Sequence, residues 1–403
     1  MSKENKTQEI LDLYKSSLMP TYSPSVVLAS GKGVTVRGID GLSLYDFTSG
    51  IGVHNVGHCH PKVVKAIQDQ AAAMTHSSNL FANEPATRLA AKLVEISGLG
   101  GKVFFCNSGA EANEAAIKLA RKWGNANGGR YEIVTMRQGF HGRTLATVTA
   151  TAQAWCQEGF DPLPVGFAYA DFNDLESVKA AVTDKTVAIL LEAVQGEGGV
   201  MPATEEFMKG VRALCDEKNL IMICDEVQSG MGRTGTWFAW QGYDVKPDLF
   251  TCAKALADGI PMGALVSNAK FADVFTAGSH GSTFGGNPVA AAAALAVIGV
   301  IEEEKLLAQA TKVGELLREA LQGFVDQYDQ LLEVRGKGLM LGLVVDGDPK
   351  PVVDALRDQG LLALTAGGNV VRFLPPLVLQ EDDLEDVIDM ISDALDCLYG
   401  SED

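Results

Sequence analysis

The sequence predicts an α/β protein in which a mainly parallel central sheet carries helices on both faces and a smaller α+β domain is attached. Three observations carry that expectation. Short apolar runs alternate with longer helical segments through the middle of the chain. Two stretches, one near each end, break the alternation. The chain has 403 residues, 47% of them apolar, which is too long for one simple domain and supplies a large core.

Taken in order, residues 26–47 read as a small antiparallel unit with Asp40-Gly41 as its hairpin turn. Val103–Cys106 is a predicted strand ahead of a helix over Glu111–Trp123, and Val187–Val194 is another ahead of a helix near Glu205–Glu217. Leu220–Cys224 is a third, running directly into Asp225. A long Ala-rich helix is predicted from about Pro288 to Phe324, and Glu333–Val345 reads as a strand pair. A helix, the short strand Val370–Leu374 and a final helix follow. From Glu381 to Asp403 there is no Lys or Arg, yet Leu384, Val387, Ile388, Ile391, Leu395 and Leu398 keep helical spacing. That pattern predicts an amphipathic helix with a solvated acidic face. The expected organisation is an N-terminal segment over 1–49 that contributes to the small domain, a large domain over 50–285 and a C-terminal small domain over 286–403.

Fifty-one acidic against 33 basic side chains leave a formal charge of −18, which disfavours nucleic acid or an anionic membrane as partner. Seven cysteines, an odd number without paired spacing, argue against a disulfide framework; Cys106, Cys224 and Cys252 lie in apolar runs and read as buried thiols. The opening MSKENKTQEILDLYKSS has no apolar leader core, and no run of 18 uncharged apolar residues occurs. The expectation is a cytoplasmic protein.

Open α/β sheets bind ligands beyond the carboxyl ends of their strands, so the residues that follow apolar runs are the ones to inspect. Asn107-Ser108-Gly109-Ala110-Glu111 lies between strand and helix. Backbone N–H groups at such a helix start attract an anion, which suits phosphate; an ordinary start with Ser108 as cap is the alternative. Gln138-Gly139-Phe140-His141-Gly142-Arg143 sets an aromatic and an Arg among glycines. It suits stacking on a flat ligand and clamping a carboxylate, or else is a surface turn with a solvated Arg. Asp225-Glu226-Val227-Gln228 puts a carboxylate at the end of a buried strand, where it needs a cation or hydrogen bonds. A protonated pyridine nitrogen would serve, as would the next turn's amides; a metal reading lacks further ligands at suitable spacing. Gly57-His58-Cys59-His60-Pro61 likewise lacks a second ligand pair and reads as a loop and helix start. Finally, Lys254 ends the apolar stretch Thr251-Cys252-Ala253. It either snorkels or, with its pKa lowered by apolar or cationic neighbours, offers a free amine for Schiff-base chemistry.

A phosphate cradle, a stacking aromatic, an acid for a ring nitrogen and a reactive Lys together match the needs of pyridoxal 5'-phosphate. The chain also resembles the class III (ornithine-type) aminotransferases along nearly its whole length. The resemblance rests on NSGAEANEAAIKLAR (107–121), FHGRT (140–144), EAVQGEGGV (192–200), DEVQSGMGRTG (225–235), AKAL (253–256) and GSHGSTFGGNP (278–288). Within the class it is most similar to the acetylornithine aminotransferases, through its GHCHP, NEPATRL-like and GSHGSTFGGNP blocks.

The resemblance implies a fold-type-I architecture and a homodimer with shared active sites. It implies that Lys254 carries the cofactor and shuttles the proton, that Asp225 pairs with the pyridine N–H, and that Gln228 faces the phenolic oxygen. Phe140 would stack on the ring; Ser108, Gly109 and Ala110 would cradle the phosphate. Thr283, with Ser282, would reach the phosphate or substrate of the neighbouring subunit's site. Arg143 would clamp the carboxylate far from the reacting amine, Arg372 would take the α-carboxylate of glutamate, and Glu197 would mask Arg372 while a terminal amine is bound. The implied reaction moves the terminal amino group of N2-acetylornithine to 2-oxoglutarate, giving N-acetylglutamate 5-semialdehyde and glutamate, a step of arginine biosynthesis. Ornithine, succinylornithine and 4-aminobutyrate aminotransferases share almost all these residues and are the nearer alternatives. A glutamate-1-semialdehyde aminomutase and a non-enzymatic pyridoxal-phosphate protein are the more distant alternatives. One departure stands out: related sequences have a Gly-rich run after the Lys, where this chain reads Ala255-Leu256-Ala257-Asp258-Gly259.

Overall fold

A computed structural model describes residues 3–400. Its centre is a seven-stranded sheet in the order Gly100–Cys106, Gly263–Asn268, Leu249–Cys252, Ile221–Asp225, Thr186–Glu192, Glu132–Met136, Phe167–Ala170. Thr186–Glu192, Ile221–Asp225 and Leu249–Cys252 are buried at every residue, because helices cover both faces. Six strands run the same way. Gly263–Asn268 is antiparallel to both its neighbours, so the sheet is mixed at one inner position. The consequence for function is geometric. The carboxyl ends of five parallel strands, those closing on Cys106, Met136, Glu192, Asp225 and Cys252, open on one edge, and the antiparallel strand brings Met262 there at its amino end.

The flanking units take the expected forms. Leu28–Lys32, Thr35–Gly38 and Ser43–Asp46 make an antiparallel meander, with Gly41 at φ 97° in the Asp40-Gly41 turn. Leu361–Leu362, more than 300 residues later, adds a parallel fourth strand. Leu331–Lys337 and Met340–Val345 form the C-terminal hairpin, and Val370–Phe373 pairs beside it with Gly342 opposite Arg372. The acidic C-terminal segment is helical over Glu381–Tyr399; Leu384, Val387, Ile391 and Leu395 are buried, Leu398 is exposed, and 401–403 fall outside the described residues.

One expectation is corrected. The single helix from Pro288 to Phe324 is two, Pro288–Glu303 and Leu306–Gln327. Lys305 between them has φ 55°, a left-handed residue that ends one helix and starts the next in a new direction. Helical spacing runs through the break, so periodicity does not show it. The helix Lys3–Ser17 was not anticipated either.

Candidate active site

Each strand end delivers one functional group to the same edge. After Gly100–Cys106 the chain turns at Asn107 into the helix Gly109–Ala126, capped by Ser108, whose hydroxyl accepts from the Glu111 N–H at 3.2 Å. The first-turn amides have no carbonyl four residues back, and Ser108, Gly109 and Ala110 line the cavity. Gly109 is required there: a Cβ would stand 2.6 Å from Val227 Cγ1. The helix-cap and cradle readings of Ser108 are thus compatible.

Asp225 is the last residue of its strand and 3% exposed. Its Oδ2 lies 2.8 Å from His141 Nδ1 and accepts from Asn113 Nδ2 at 2.7 Å, while Oδ1 accepts only the Val227 N–H at 3.0 Å. One edge of the carboxylate therefore stays open to the cavity. Burial lowers the pKa of His141, but its hydrogen bond to Asp225 and the fields of Asp225 and Glu192 outweigh that and raise it. Sequence reasoning missed this bracing by His141 and Asn113; each belongs to a block already singled out, with no local signal of its own. Glu226 turns the other way. It is buried, accepts from Ser229 Oγ and from the Ala239 and Trp240 N–H groups, and is pushed up to about 7 mainly by desolvation. The acidic pair is split by strand alternation and does not form a joint ligand set.

Lys254 follows Leu249–Cys252 with φ 43°, and Asp258 (φ 47°) and Gly259 (φ 108°) complete the turn after it. The departure from a Gly-rich run still yields a left-handed turn, held by Asp258 Oδ1 accepting from the Val56 N–H at 3.3 Å. Burial, aided by the charge of Arg372 and opposed by Glu197, brings the Lys254 pKa down to about 8. The amine is accordingly easy to deprotonate.

Around these groups lies a cavity of about 420 Å³ that also takes in Phe140, Arg143, Glu197, Gln228 and Ala110. The two arginines behave differently. Arg143 is exposed, with its guanidinium carbon 4.5 Å from the Phe140 ring centroid, and donates to Cys156 Sγ at 3.0 Å. Arg372 is 2% exposed and bound to Glu197 Oε1 at 2.7 Å and to Gln228 Oε1 at 3.1 Å. Burial acts to raise the Glu197 pKa, but the charge and hydrogen bond of Arg372 hold it below the usual range. Gln228 lines the cavity, yet its amide is spent on Glu197 and Arg372 in this structure. Ser282 Oγ accepts from Asn107 Nδ2 at 3.3 Å, at the rim; Thr283 is exposed and outside the cavity of its own chain.

Two further features escaped the sequence. Ser49, Gly50, Ile51 and Gly52 all have positive φ, from 46° to 71°, making one left-handed turn that sets Gly52 against Gln228 and Leu374. Arg233, fully buried, donates to the carbonyls of Leu339 and Pro375 and to Asn55, tying three distant segments behind the cavity. His60 caps the helix Pro61–Ala73, and His58 Nε2 meets Asp46 Oδ2 at 2.7 Å. Cys106, Cys224 and Cys252 are buried and unpaired.

A cavity lined by a helix start, a buried carboxylate and an amine of lowered pKa suits a phosphorylated aromatic aldehyde. The chain belongs to the class III aminotransferases, whose family profile matches residues 19–395. It is 47% identical over 396 residues to the acetylornithine aminotransferase of Methanocaldococcus jannaschii, covering 98% of each chain. It is 43% identical over 382 residues to the succinylornithine transaminase of Yersinia enterocolitica, covering 92% of each. Among solved structures it superposes on the ornithine aminotransferase of Toxoplasma gondii, which holds pyridoxal phosphate at partial occupancy in its active site. The TM-score is 0.92 at 33% identity, covering 96% of this chain and 94% of that one. The chain is a pyridoxal-phosphate-dependent transaminase, and the residues at the cavity fit that group. The open Asp225 edge suits its ring nitrogen, the amides after Ser108 its phosphate, Phe140 and Val227 its faces, and Lys254 its aldehyde. No described helix is long and apolar enough to cross a membrane.

Proposed function

We propose that this enzyme transfers the terminal amino group of N2-acetylornithine to 2-oxoglutarate, giving N-acetylglutamate 5-semialdehyde and glutamate in arginine biosynthesis. The observation that carries the reading is the asymmetry of the arginines. Arg143 stands open at the mouth while Arg372 is buried against Glu197. A donor with one carboxylate and an amine at the far end needs one free guanidinium and a neutralised inner wall; 2-oxoglutarate needs both guanidinium groups.

Bound in the cavity, pyridoxal phosphate supplies the carbonyl that accepts the amino group and the ring that withdraws electrons. The protein does the rest. Ser108, Gly109 and Ala110 would hold the phosphate with backbone amides, and Phe140 would cover the ring. Asp225, oriented by His141, Asn113 and the Val227 N–H, would pair with the ring nitrogen. Gln228, which lines the cavity, would face the ring hydroxyl. Lys254, whose pKa is lowered to about 8, would hold the cofactor through its aldehyde, and its Nζ would serve as the base and acid that moves the proton taken from the donor carbon beside the amine. Arg143 binds the α-carboxylate of acetylornithine and, in the second half-reaction, the side-chain carboxylate of 2-oxoglutarate. Glu197 swings off Arg372 in that second step, freeing it for the α-carboxylate.

The same reading makes the enzyme a cytoplasmic homodimer in which Thr283, with Ser282, serves the neighbouring site; the exposure of Thr283 outside its own chain's cavity supports it. The test is a side-by-side kcat/KM comparison of acetylornithine, succinylornithine, ornithine and 4-aminobutyrate with 2-oxoglutarate. Acetylornithine leads if the reading holds. Equal or greater efficiency with unacetylated ornithine refutes it.

A further inference from the structure

Trp155 is a large aromatic side chain left 68% exposed, yet it is not loose. Its Nε1 donates to Gln153 Oε1 at 2.9 Å. Gln153 is buried and donates in turn to the carbonyls of Gln138 and Gly139, both at 3.1 Å, so the ring is fixed to the loop that presents Phe140 and Arg143. The Arg143 guanidinium carbon lies 5.0 Å from the Trp155 ring centroid as well as 4.5 Å from that of Phe140. Beyond Trp155 opens a second cavity of about 940 Å³, lined also by Gln153, Val353, Leu364 and Arg357. It shares Glu197 with the first cavity, so the two are neighbours.

A cation–π contact at so exposed a site is weak and does not by itself account for an indole pinned open to solvent. The donor's covalent structure supplies a better account. In an N2-acylated donor only the α-carbon and an amide nitrogen separate the acyl carbon from the α-carboxylate. A carboxylate seated on Arg143 therefore brings the acyl amide onto the side chains that flank that guanidinium. Phe140 lines the first cavity and Cys156, the other neighbour of the guanidinium, is buried, which leaves Trp155.

We propose that the exposed face of Trp155 is the platform for the donor's N2-acyl group, and that the second cavity receives the remainder of a longer acyl chain. The inference rests on the proposed donor. The planar amide stacks on the indole and the acyl methyl packs at its edge. 2-Oxoglutarate and glutamate have no acyl group to place there, so Trp155 acts on one of the two substrates and sets specificity between donors.

The test uses N-acetylnorvaline and valerate as competitive inhibitors of the holoenzyme. Both carry the carboxylate, neither has an amine that can react, and they differ only in the acetamido group. Wild-type enzyme is expected to bind N-acetylnorvaline about tenfold tighter than valerate. Trp155→Ala removes most of that difference and Trp155→Phe retains part of it, while kcat/KM for glutamate is unchanged. Three results overturn the platform: the same difference in Trp155→Ala as in wild type, equal losses for both inhibitors, or a matching loss for glutamate. Wild-type enzyme that favours acetylornithine over ornithine but fails this test loses only the platform. Wild-type enzyme with no preference for either acylated compound loses the donor reading as well.

Discussion

Replacing Glu197 with glutamine keeps the shape of the side chain and removes its charge, which separates the two half-reactions. In the wild type Glu197 Oε1 sits 2.7 Å from Arg372 Nη1, with Arg372 3% and Glu197 28% exposed at the side chain. Two unit charges about 4 Å apart at an effective dielectric near 20 attract by about 4 kcal/mol. Partial exposure of Glu197 and the water it regains on leaving offset about half of this, so displacing it costs 2-oxoglutarate or glutamate about 2 kcal/mol. The variant lifts that cost. Single-turnover measurement of the glutamate half-reaction should show KM lowered by about 10- to 30-fold, since 1.4 kcal/mol is tenfold. The acetylornithine half-reaction should lose efficiency, because an unmasked cation now faces its amine end. Opposite signs are the signature. Losses of equal size in both half-reactions would refute the masking role, leaving Glu197 a structural support.

Other expectations follow from single residues. Lys254 is lowered to about 8 from its ordinary 10.5, so cofactor attachment to apo-protein, followed by stopped-flow absorbance, should accelerate as pH rises through about 8 and level off above it. Glu197→Gln removes a charge that opposes the shift and should move the midpoint lower; a midpoint near 10.5 in the wild type contradicts the buried-amine account. Gly109→Ala puts a Cβ 2.6 Å from Val227 and should weaken cofactor binding about tenfold in an equilibrium titration, an overpacking cost of about 1–2 kcal/mol. Lys305→Gly relieves the left-handed strain between two helices and should raise stability in urea by about 0.5–1 kcal/mol, less the added unfolded-state freedom.

What could be read from the chain, and what could not, divides along a physical line. Asn107, Asp225 and Lys254 were visible because each follows a short apolar run, and parallel strands of one sheet deliver such residues to a common edge. Strand direction was not visible: Gly263–Asn268 is as apolar as its neighbours, and its antiparallel course depends on the short turn after Lys254. The helix break at Lys305 was hidden because residues on both sides keep helical spacing. Arg372 and Glu197 are 175 positions apart, and only the family resemblance paired them before the fold placed them 2.7 Å apart. Trp155 had no motif around it at all. Its meaning comes from a buried glutamine and an arginine that three-dimensional packing sets beside it.

On this reading the amine of Lys254, two residues beyond the strand Leu249–Cys252, carries the cofactor. Reductive trapping of the holoenzyme with borohydride, followed by peptide mapping by mass spectrometry, tests it directly. The account predicts one pyridoxyl-modified residue, Lys254, in wild-type enzyme and none in Lys254→Ala. Modification at a different lysine, or an active enzyme with no trapped group, would contradict it.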